Sequence, residues 1–349
     1  MSIPPYLVSG GGGFVGSHVA AQLLMAGRPV VLVDRLSGSP GRRERKQANV
    51  DAVVSSSAAS GTPVTLVDGD CADRGAMRGA FDLGVAGVAH IASRAGVGPS
   101  FADPEGFVSS NVASHAVLLS LLAESGPEAA PGMSARPFVY ASSSGVYGVP
   151  PDGRARGPFV EHQSEDGRPV SPYAATKRMQ ELLAHSYAAT HPDVLRCVGL
   201  RLFSVYGPRG RREMAPFAFL DRVHRGDAVT LFGDPASSYR DWVHVDDVAR
   251  AFCLALDAAA GGGLPGSPVL NVGTGRATSL QDLLDACEAA VGRTAIVERM
   301  PARAGDVPGT LASMDLVDAL LGFRPQVELA DGIRDTYAWY LAAAAAAGA

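Results

Sequence analysis

Residues Tyr6 to Asp34, Y-L-V-S-G-G-G-G-F-V-G-S-H-V-A-A-Q-L-L-M-A-G-R-P-V-V-L-V-D, read as strand, glycine loop, helix and strand. Gly10, Gly13 and Gly16 have the G-x-x-G-x-x-G spacing, with Phe14 and Val15 between the last two. Glycines at that spacing give a tight turn, a close approach of backbone to a pyrophosphate, and close packing of helix on strand. Asp34 closes the second strand, where a carboxylate accepts hydrogen bonds from adenosine ribose hydroxyls and repels a 2′-phosphate. The pattern predicts a doubly wound, parallel α/β sheet of Rossmann type that binds NAD. Arg35, next in the chain, keeps NADP open, and a flexible glycine loop with no ligand is the plain alternative.

The chain has 349 residues, more than one hydrophobic core usually spans, so a large α/β domain with a smaller partner and a cleft between them is expected. Lys plus Arg number 30 against 35 Asp plus Glu, a net charge of -5 that offers no global attraction for nucleic acid. The four cysteines, Cys71, Cys197, Cys253 and Cys287, are far apart and form no C-x-x-C pair, which argues against zinc and against a disulfide framework. The N-terminus has no basic region ahead of an apolar stretch, and no apolar run of membrane-spanning length stands out, so a soluble, cytoplasmic protein is expected.

Leu36 to Thr62 is rich in Ser, Gly, Arg and Ala without steady periodicity and reads as a surface connection with one short helix. Beyond the strand P-V-T-L-V stand Asp70 and Cys71, on the edge where adenine is contacted in doubly wound sheets; Asp70 is equally suited to capping a helix. The next strand ends in His90, Ile91, Ala92 and Ser93. His90 is expected to be structural, and Ile91, Ala92 and Ser93 to face the cofactor. A helix over about Val108 to Glu124 carries Asn111, and the strand P-F-V-Y-A-S leads into S-S-G-V-Y-G at the same sheet edge.

In V-S-P-Y-A-A-T-K-R-M-Q-E-L-L-A-H, residues 170–185, Tyr173 and Lys177 are one helical turn apart and share a face. Ser171 suits an N-cap and Pro172 a first turn. An ammonium beside a phenol favours the phenolate and makes it a usable base near neutrality. An amphipathic surface helix would carry the same two residues without chemistry.

Together these motifs resemble the extended short-chain dehydrogenase/reductase family, in its nucleotide-sugar epimerase and dehydratase branch, over nearly the whole chain. The resemblance implies that Ser143 hydrogen-bonds the sugar 4-hydroxyl, that Tyr173 is the base, that Lys177 is its partner and touches the nicotinamide ribose, and that Asn111 supports the active-site helix. Dehydratases of the family follow the catalytic hydroxyl with Asp-Glu, where this chain has Ser144 and Gly145. Related decarboxylases have a glutamate where Gly145 stands. Epimerisation at C4 remains, because it needs only NAD, the hydroxyl, Tyr and Lys.

The segment V-G-L-R-L-F-S-V-Y-G-P-R-G-R-R-E-M-A-P-F, residues 198–217, is similar to that of UDP-glucuronate 4-epimerases, typically L-R-F-F-T-V-Y-G-P-W-G-R-P-D-M-A. The resemblance implies that Ser204 and Ser144 hold a sugar carboxylate and that Arg211 lies near sugar and diphosphate. Gly145 stands for a serine that aids carboxylate binding, Arg209 for a tryptophan and Arg212 for a proline. The two extra arginines either bind the carboxylate in another way or sit in solvent. S-S-Y-R-D-W-V-H-V-D-D-V resembles the family's R-D-F-x-Y-V-D-D-V, and R-A-G-D-V-P its late R-x-G-D. Arg240 and Arg303 are implied diphosphate clamps and Asp306 a contact to the nucleotide ribose. The expectation is NAD-dependent 4-epimerisation of UDP-glucuronate by a homodimer joined through the helices after Asn111 and Tyr173. Residues 1–203 and 242–298 would form the NAD-binding domain, and 204–241 and 299–349 the nucleotide-sugar lobe. A neutral-sugar 4-epimerase, favoured by Gly145, and a non-catalytic NAD-binding module are the alternatives.

Overall fold

A computed structural model describes residues 3–37, 40–126, 132–148, 157–164, 168–236, 238–301 and 309–348. The first half runs β1 (Tyr6–Ser9), α1 (Phe14–Met25), β2 (Val30–Asp34), α2 (Pro40–Ser60), β3 (Val64–Asp68), α3 (Arg74–Phe81) and β4 (Gly87–His90). It continues with α4 (Val97–Ala102), α5 (Pro104–Val108), α6 (Ser114–Glu124), β5 (Arg136–Ser143), α7 (Pro172–Thr190) and β6 (Leu195–Leu202). There follow β7 (Ser204–Tyr206), α8 (Ala215–Arg225), β8 (Ala228–Phe232), β9 (Tyr239–Arg240), β10 (Trp242–His244), α9 (Val245–Ala260) and β11 (Val269–Val272). The last elements are β12 (Thr278–Ser279), α10 (Leu280–Val291), β13 (Ile296–Met300), β14 (Gly309–Thr310), α11 (Asp315–Leu321) and α12 (Leu329–Gly348).

Seven parallel strands form the central sheet in the order β11-β6-β5-β4-β1-β2-β3. Because side chains alternate across a strand, β1 sends Tyr6 and Val8 into one core and Leu7 into the other. The first core joins α1 and α9 to the sheet through Val19, Leu23, Val248 and Phe252, and the second joins α3, α6 and α7 through Met77, Leu118, Leu122 and Ala184. Burial on both faces explains why the strands are near-continuous apolar runs. This is the expected doubly wound sheet.

Three readings need correction. Residues 40–60 form a 21-residue helix, not a short one in a loop. Its Arg, Gln, Lys and Ala are good helix formers, and it docks through only Val50 and Val53, too few apolar positions to show a period. The helix carrying Asn111 begins earlier than expected and runs from Pro104 to Glu124, with a π segment at Ser109–Ala113. The stretch Pro104–Glu124 is long and apolar enough by composition to cross a membrane, yet here its Phe107, Leu118, Leu119, Leu121 and Leu122 lie in the interior of the fold.

The smaller lobe has its own core, in which Phe219, Leu220 and Val223 of α8 meet Leu283, Leu284 and Cys287 of α10 and Ile333 of α12. Strand β13 pairs in parallel with β8. Residues 280–300 therefore pack with the smaller lobe, whereas the sequence placed 280–298 with the Rossmann part. Apolar faces of both helices draw them there, and a capping box of Ser279 and Asp282 starts α10.

Candidate active site

The glycine loop joins β1 to α1 at the sheet's carboxyl edge. Gly10 has φ 73°, and a Cβ there would lie 2.8 Å from the Ala92 backbone nitrogen. A Cβ on Gly16 would overlap the Gly10 carbonyl oxygen, so only glycine lets helix and turn meet. Gly13 is the N-cap of α1 and has no side chain to take the first helical N–H groups, which leaves them for an anion. Phe14 and Val15 are half-buried beside it. The Ser9 hydroxyl accepts the N–H groups of Ile91 (3.1 Å) and Ala92 (3.2 Å) and bonds His90 Nδ1 at 2.7 Å, so Ile91, Ala92 and Ser93 are brought against the loop. His90 is structural, as expected. Its pKa falls to about 3 through burial, aided by the Lys177 charge.

Asp34 accepts the Gly12 N–H at 2.8 Å and is paired with Lys46 of α2 at 2.5 Å. Lys46 was not found from the sequence, since no local motif links it to Asp34. Asn49, one turn further along α2, donates to the Gly12 carbonyl at 3.0 Å. Arg35 is committed to Asp70 at 3.1 Å. Asp70 does not cap α3; that cap is Asp73, and Asp70 instead accepts the Ala72 N–H. Cys71 is buried beside Asp34 and Asp70, and burial raises its thiol to about 12, an inert state.

Ser171 caps α7 by accepting the Ala174 N–H, and Pro172 occupies its first turn, as expected. Tyr173 and Lys177 lie one turn apart on this helix. Ser143, the last residue of β5, has its hydroxyl against the first turn of α7, accepts the Gly145 N–H at 3.1 Å and acts on the Tyr173 phenol. Lys177 is 2 % exposed and donates to the Ala141 carbonyl at 2.8 Å. Burial lowers its pKa to about 7, against the pull of Glu181. Burial raises that of Tyr173, opposed by the Ser143 hydroxyl and the Arg211 charge. The groups that help the phenolate are thus Ser143 and Arg211, where the sequence alone pointed to Lys177.

Three polar contacts fix this geometry. Asn111 accepts the Arg94 N–H at 2.7 Å and donates to the Arg94 carbonyl and to Thr176, both at 3.0 Å, so it supports α7 with its own side chain fully engaged. Glu181, one turn after Lys177, accepts Ser142 at 2.6 Å and a two-pronged contact from Arg201, both bonds at 2.9 Å. Burial pushes the Glu181 carboxyl up, but Arg201, Ser142 and Arg178 outweigh it and hold it low. Arg201 also lies 4.8 Å from the Tyr147 ring centre, under the turn that follows Ser143. Neither Thr176 nor Glu181 was singled out from the sequence, although Glu181 shows itself by its place one turn beyond Lys177.

Ser144 and Gly145 form a half-buried turn next to Ser143, and a Cβ on Gly145 would find Ala174 Cβ and Ser143 Oγ each at 3.4 Å. Ser204 is half-buried at the start of β7. Arg211 pairs with Glu213 and its Nη2 approaches Gly96. Arg240 sits half-buried on β9 and donates to the Tyr239 carbonyl at 2.8 Å, while Arg303 and Asp306 lie outside the described residues. Of the two extra arginines, Arg209 bonds His18 and Arg212 lies over the Phe217 ring, so neither is placed at the serines.

A glycine cradle with an acid at its ribose position, set beside a Ser-Tyr-Lys group, defines an NAD-dependent oxidoreductive site. Residues 6–273 match the model of the NAD dependent epimerase/dehydratase family. The chain belongs to that family, and its cofactor is NAD. A probable UDP-glucuronate 4-epimerase of Rhizobium meliloti (strain 1021) is 32 % identical over 96 % of each chain. UDP-glucuronate 4-epimerase 5 of Arabidopsis thaliana is 34 % identical, over 96 % of this chain and 75 % of that protein. Among solved structures, UDP-glucuronic acid 4-epimerase from Bacillus cereus in complex with UDP-glucuronic acid and NAD has a TM-score of 0.80 at 26 % identity, covering 97 % of this chain and 99 % of that one. UDP-glucose 4-epimerase from Stenotrophomonas maltophila, with bound NAD and formylated UDP-arabinopyranose, has a TM-score of 0.83 at 30 % identity, covering 98 % and 99 %.

Proposed function

We propose that the chain interconverts UDP-glucuronate and UDP-galacturonate at C4. The observation that carries this reading is Ser143 set against the first turn of α7, the helix of Tyr173 and Lys177, with the glycine cradle on the same sheet edge. Relatives named UDP-glucuronate 4-epimerase, matched over 96 % of the chain, support the choice of sugar. Tyr173 takes the proton of the 4-hydroxyl, and Ser143 orients that hydroxyl. NAD, held by the glycine cradle, would supply the acceptor and later the donor of the C4 hydride. The 4-keto sugar turns over between the two transfers, and Tyr173 gives the proton back to the new alkoxide. General-base contact of this kind requires about 2.6–3.2 Å between heavy atoms. Gly10, Gly13, Phe14, Val15, Gly16, Asp34, Lys46, Ile91, Ala92 and Ser93 hold the cofactor. Arg240 and Arg303 clamp the diphosphate, and Asp306 takes the nucleotide ribose. Residues 204–241, 280–300 and 329–348 form the sugar-binding lobe. The protein works as a soluble cytoplasmic homodimer.

A 4-keto uronate is a β-keto acid and loses carbon dioxide when the breaking bond stands perpendicular to the carbonyl plane. Ser144 and Ser204 hold the carboxylate away from that geometry. Gly145 favours a second reading, a neutral sugar such as UDP-glucose, because a hydroxyl is missing where the subgroup places one. Incubation with UDP-glucuronate, UDP-glucose and UDP-N-acetylglucosamine, followed by sugar NMR, decides between them. In Ser144→Ala with Ser204→Ala, two charge-assisted bonds of roughly 1.5–3 kcal/mol each are lost, so kcat/KM for UDP-glucuronate should drop at least about tenfold, with more pentose formed. An equal loss on UDP-glucose, without decarboxylation, would establish the neutral-sugar reading.

A further inference from the structure

The segment from Gly207 to Glu213, between β7 and α8, carries Arg211, whose Nη2 lies toward Gly96 at the start of α4 and whose charge acts on Tyr173. At its centre, Arg209 has φ 66°, the one positive φ of a non-glycine residue among the described residues. A left-handed conformation costs a residue with a Cβ about 1–2 kcal/mol, so surrounding contacts must hold it. Arg209 Nε donates to His18 Nε2 at 3.0 Å, and His18 Nδ1 bonds Asp246 Oδ1 at 2.8 Å. His18 Nε2 accepts from Arg209 when it is unprotonated and donates to the Pro208 carbonyl when it carries the proton, so either tautomer joins His18 to the segment. The Pro208 carbonyl lies 3.0 Å from the same nitrogen. His18 is 6 % exposed and sits on α1, one turn after Phe14, whose ring also lies against Gly210. Asp246 is in the first turn of α9, where a carboxylate is favoured by the helix dipole.

We propose that the Arg209–His18–Asp246 chain is a tether that sets the position of Arg211, which makes Arg209 a positioning residue for the reaction. It fastens the substrate-side segment to the helix that begins with the glycine loop, so cofactor half and sugar half share one reference point. The segment's own bonds, Gly210 N–H to the Gly207 carbonyl and Met214 N–H to the Arg211 carbonyl, both 3.1 Å, carry the placement of Arg209 along to Arg211. In the subgroup the chain resembles, a tryptophan stands at this position, with one N–H in place of a guanidinium. The inference rests on Arg211 acting in the site, not on which sugar is bound.

The test is a double-mutant cycle of Arg209→Ala and Arg211→Ala, run on whichever of the three UDP sugars the protein turns over. Arg209→Ala should raise KM about fivefold or more in the otherwise natural protein and change it less than about twofold once Arg211 is alanine, with NAD content unchanged. Arg209→Lys should restore less than half of the loss, because a single ammonium does not reproduce the guanidinium geometry. Asp246→Asn, which keeps the shape, should reproduce the effect if Arg209→Ala folds poorly. Equal losses in both backgrounds, or no effect of Arg211→Ala on any sugar, would overturn the tether. Failure with UDP-glucuronate alone, while coupling is seen on another sugar, would leave the tether standing and remove the proposed substrate.

Discussion

Lys177 is the side chain whose function most opposes stability. Its folded pKa of about 7 lies below the free value near 10.4, so the unfolded chain binds the extra proton between those limits. Stability therefore falls as pH drops from about 10 to about 7 and levels off below, where the buried ammonium is fully charged. Lys177→Met should remove that cost and raise stability by up to about 3 kcal/mol at pH 6.5, with the gain vanishing near pH 10. Thermal melts at three pH values read this directly, and a gain that grows with pH would contradict it. The same substitution should abolish turnover. Tyr173→Phe loses only the hydroxyl that exchanges the proton, so nucleotide-sugar and NAD binding should persist while kcat falls by about a thousandfold or more. Turnover near the natural level would remove Tyr173 from the mechanism.

Elements carried by strong periodicity or by a motif were legible, and those stabilised through side chains distant in sequence were not. The glycine loop and the capped α7 are each written in a few neighbouring residues. Helix α2 is not, because its role is polar: Lys46 reaches Asp34 from 12 residues away and Asn49 reaches Gly12 of the glycine loop from 37. The π segment likewise lies where Asn111 contacts Arg94 and Thr176, partners distant in sequence that no local pattern announces. If α2 matters through Lys46, Lys46→Ala should weaken NAD binding by about tenfold, the worth of one charge-assisted bond. Calorimetric titration of NAD into cofactor-stripped protein measures this. Unchanged affinity would reduce α2 to a covering helix. A milder loss in Lys46→Gln than in Lys46→Ala would separate hydrogen bonding from bulk at the same position.

At the scale of the molecule, a sheet-based half holds the cofactor while a smaller lobe with its own core carries Arg211 and Ser204 to it. The helices that form the floor of the site also reach the outer surface. On α7, whose buried face carries Lys177, Gln180, Glu181 and Ala184, the opposite face leaves Met179 46 % and Leu182 55 % exposed. Apolar side chains on the outer face of a helix are a natural seam for a second copy, and two-fold self-pairing is the commonest way to cover one. Charge at that seam should undo it: Met179→Glu with Leu182→Glu should turn a dimer into a monomer in light scattering at micromolar concentration. Because dimerisation stabilises by mass action, the Tm of the natural protein should rise with protein concentration, and that of the double variant should not. Tyr173 and Lys177 face inward on the same helix, so the monomer should keep its active-site geometry at low temperature and lose activity first on heating. A natural protein that is monomeric across the whole concentration range would exclude the seam, and a double variant that stays dimeric would move the interface to another face.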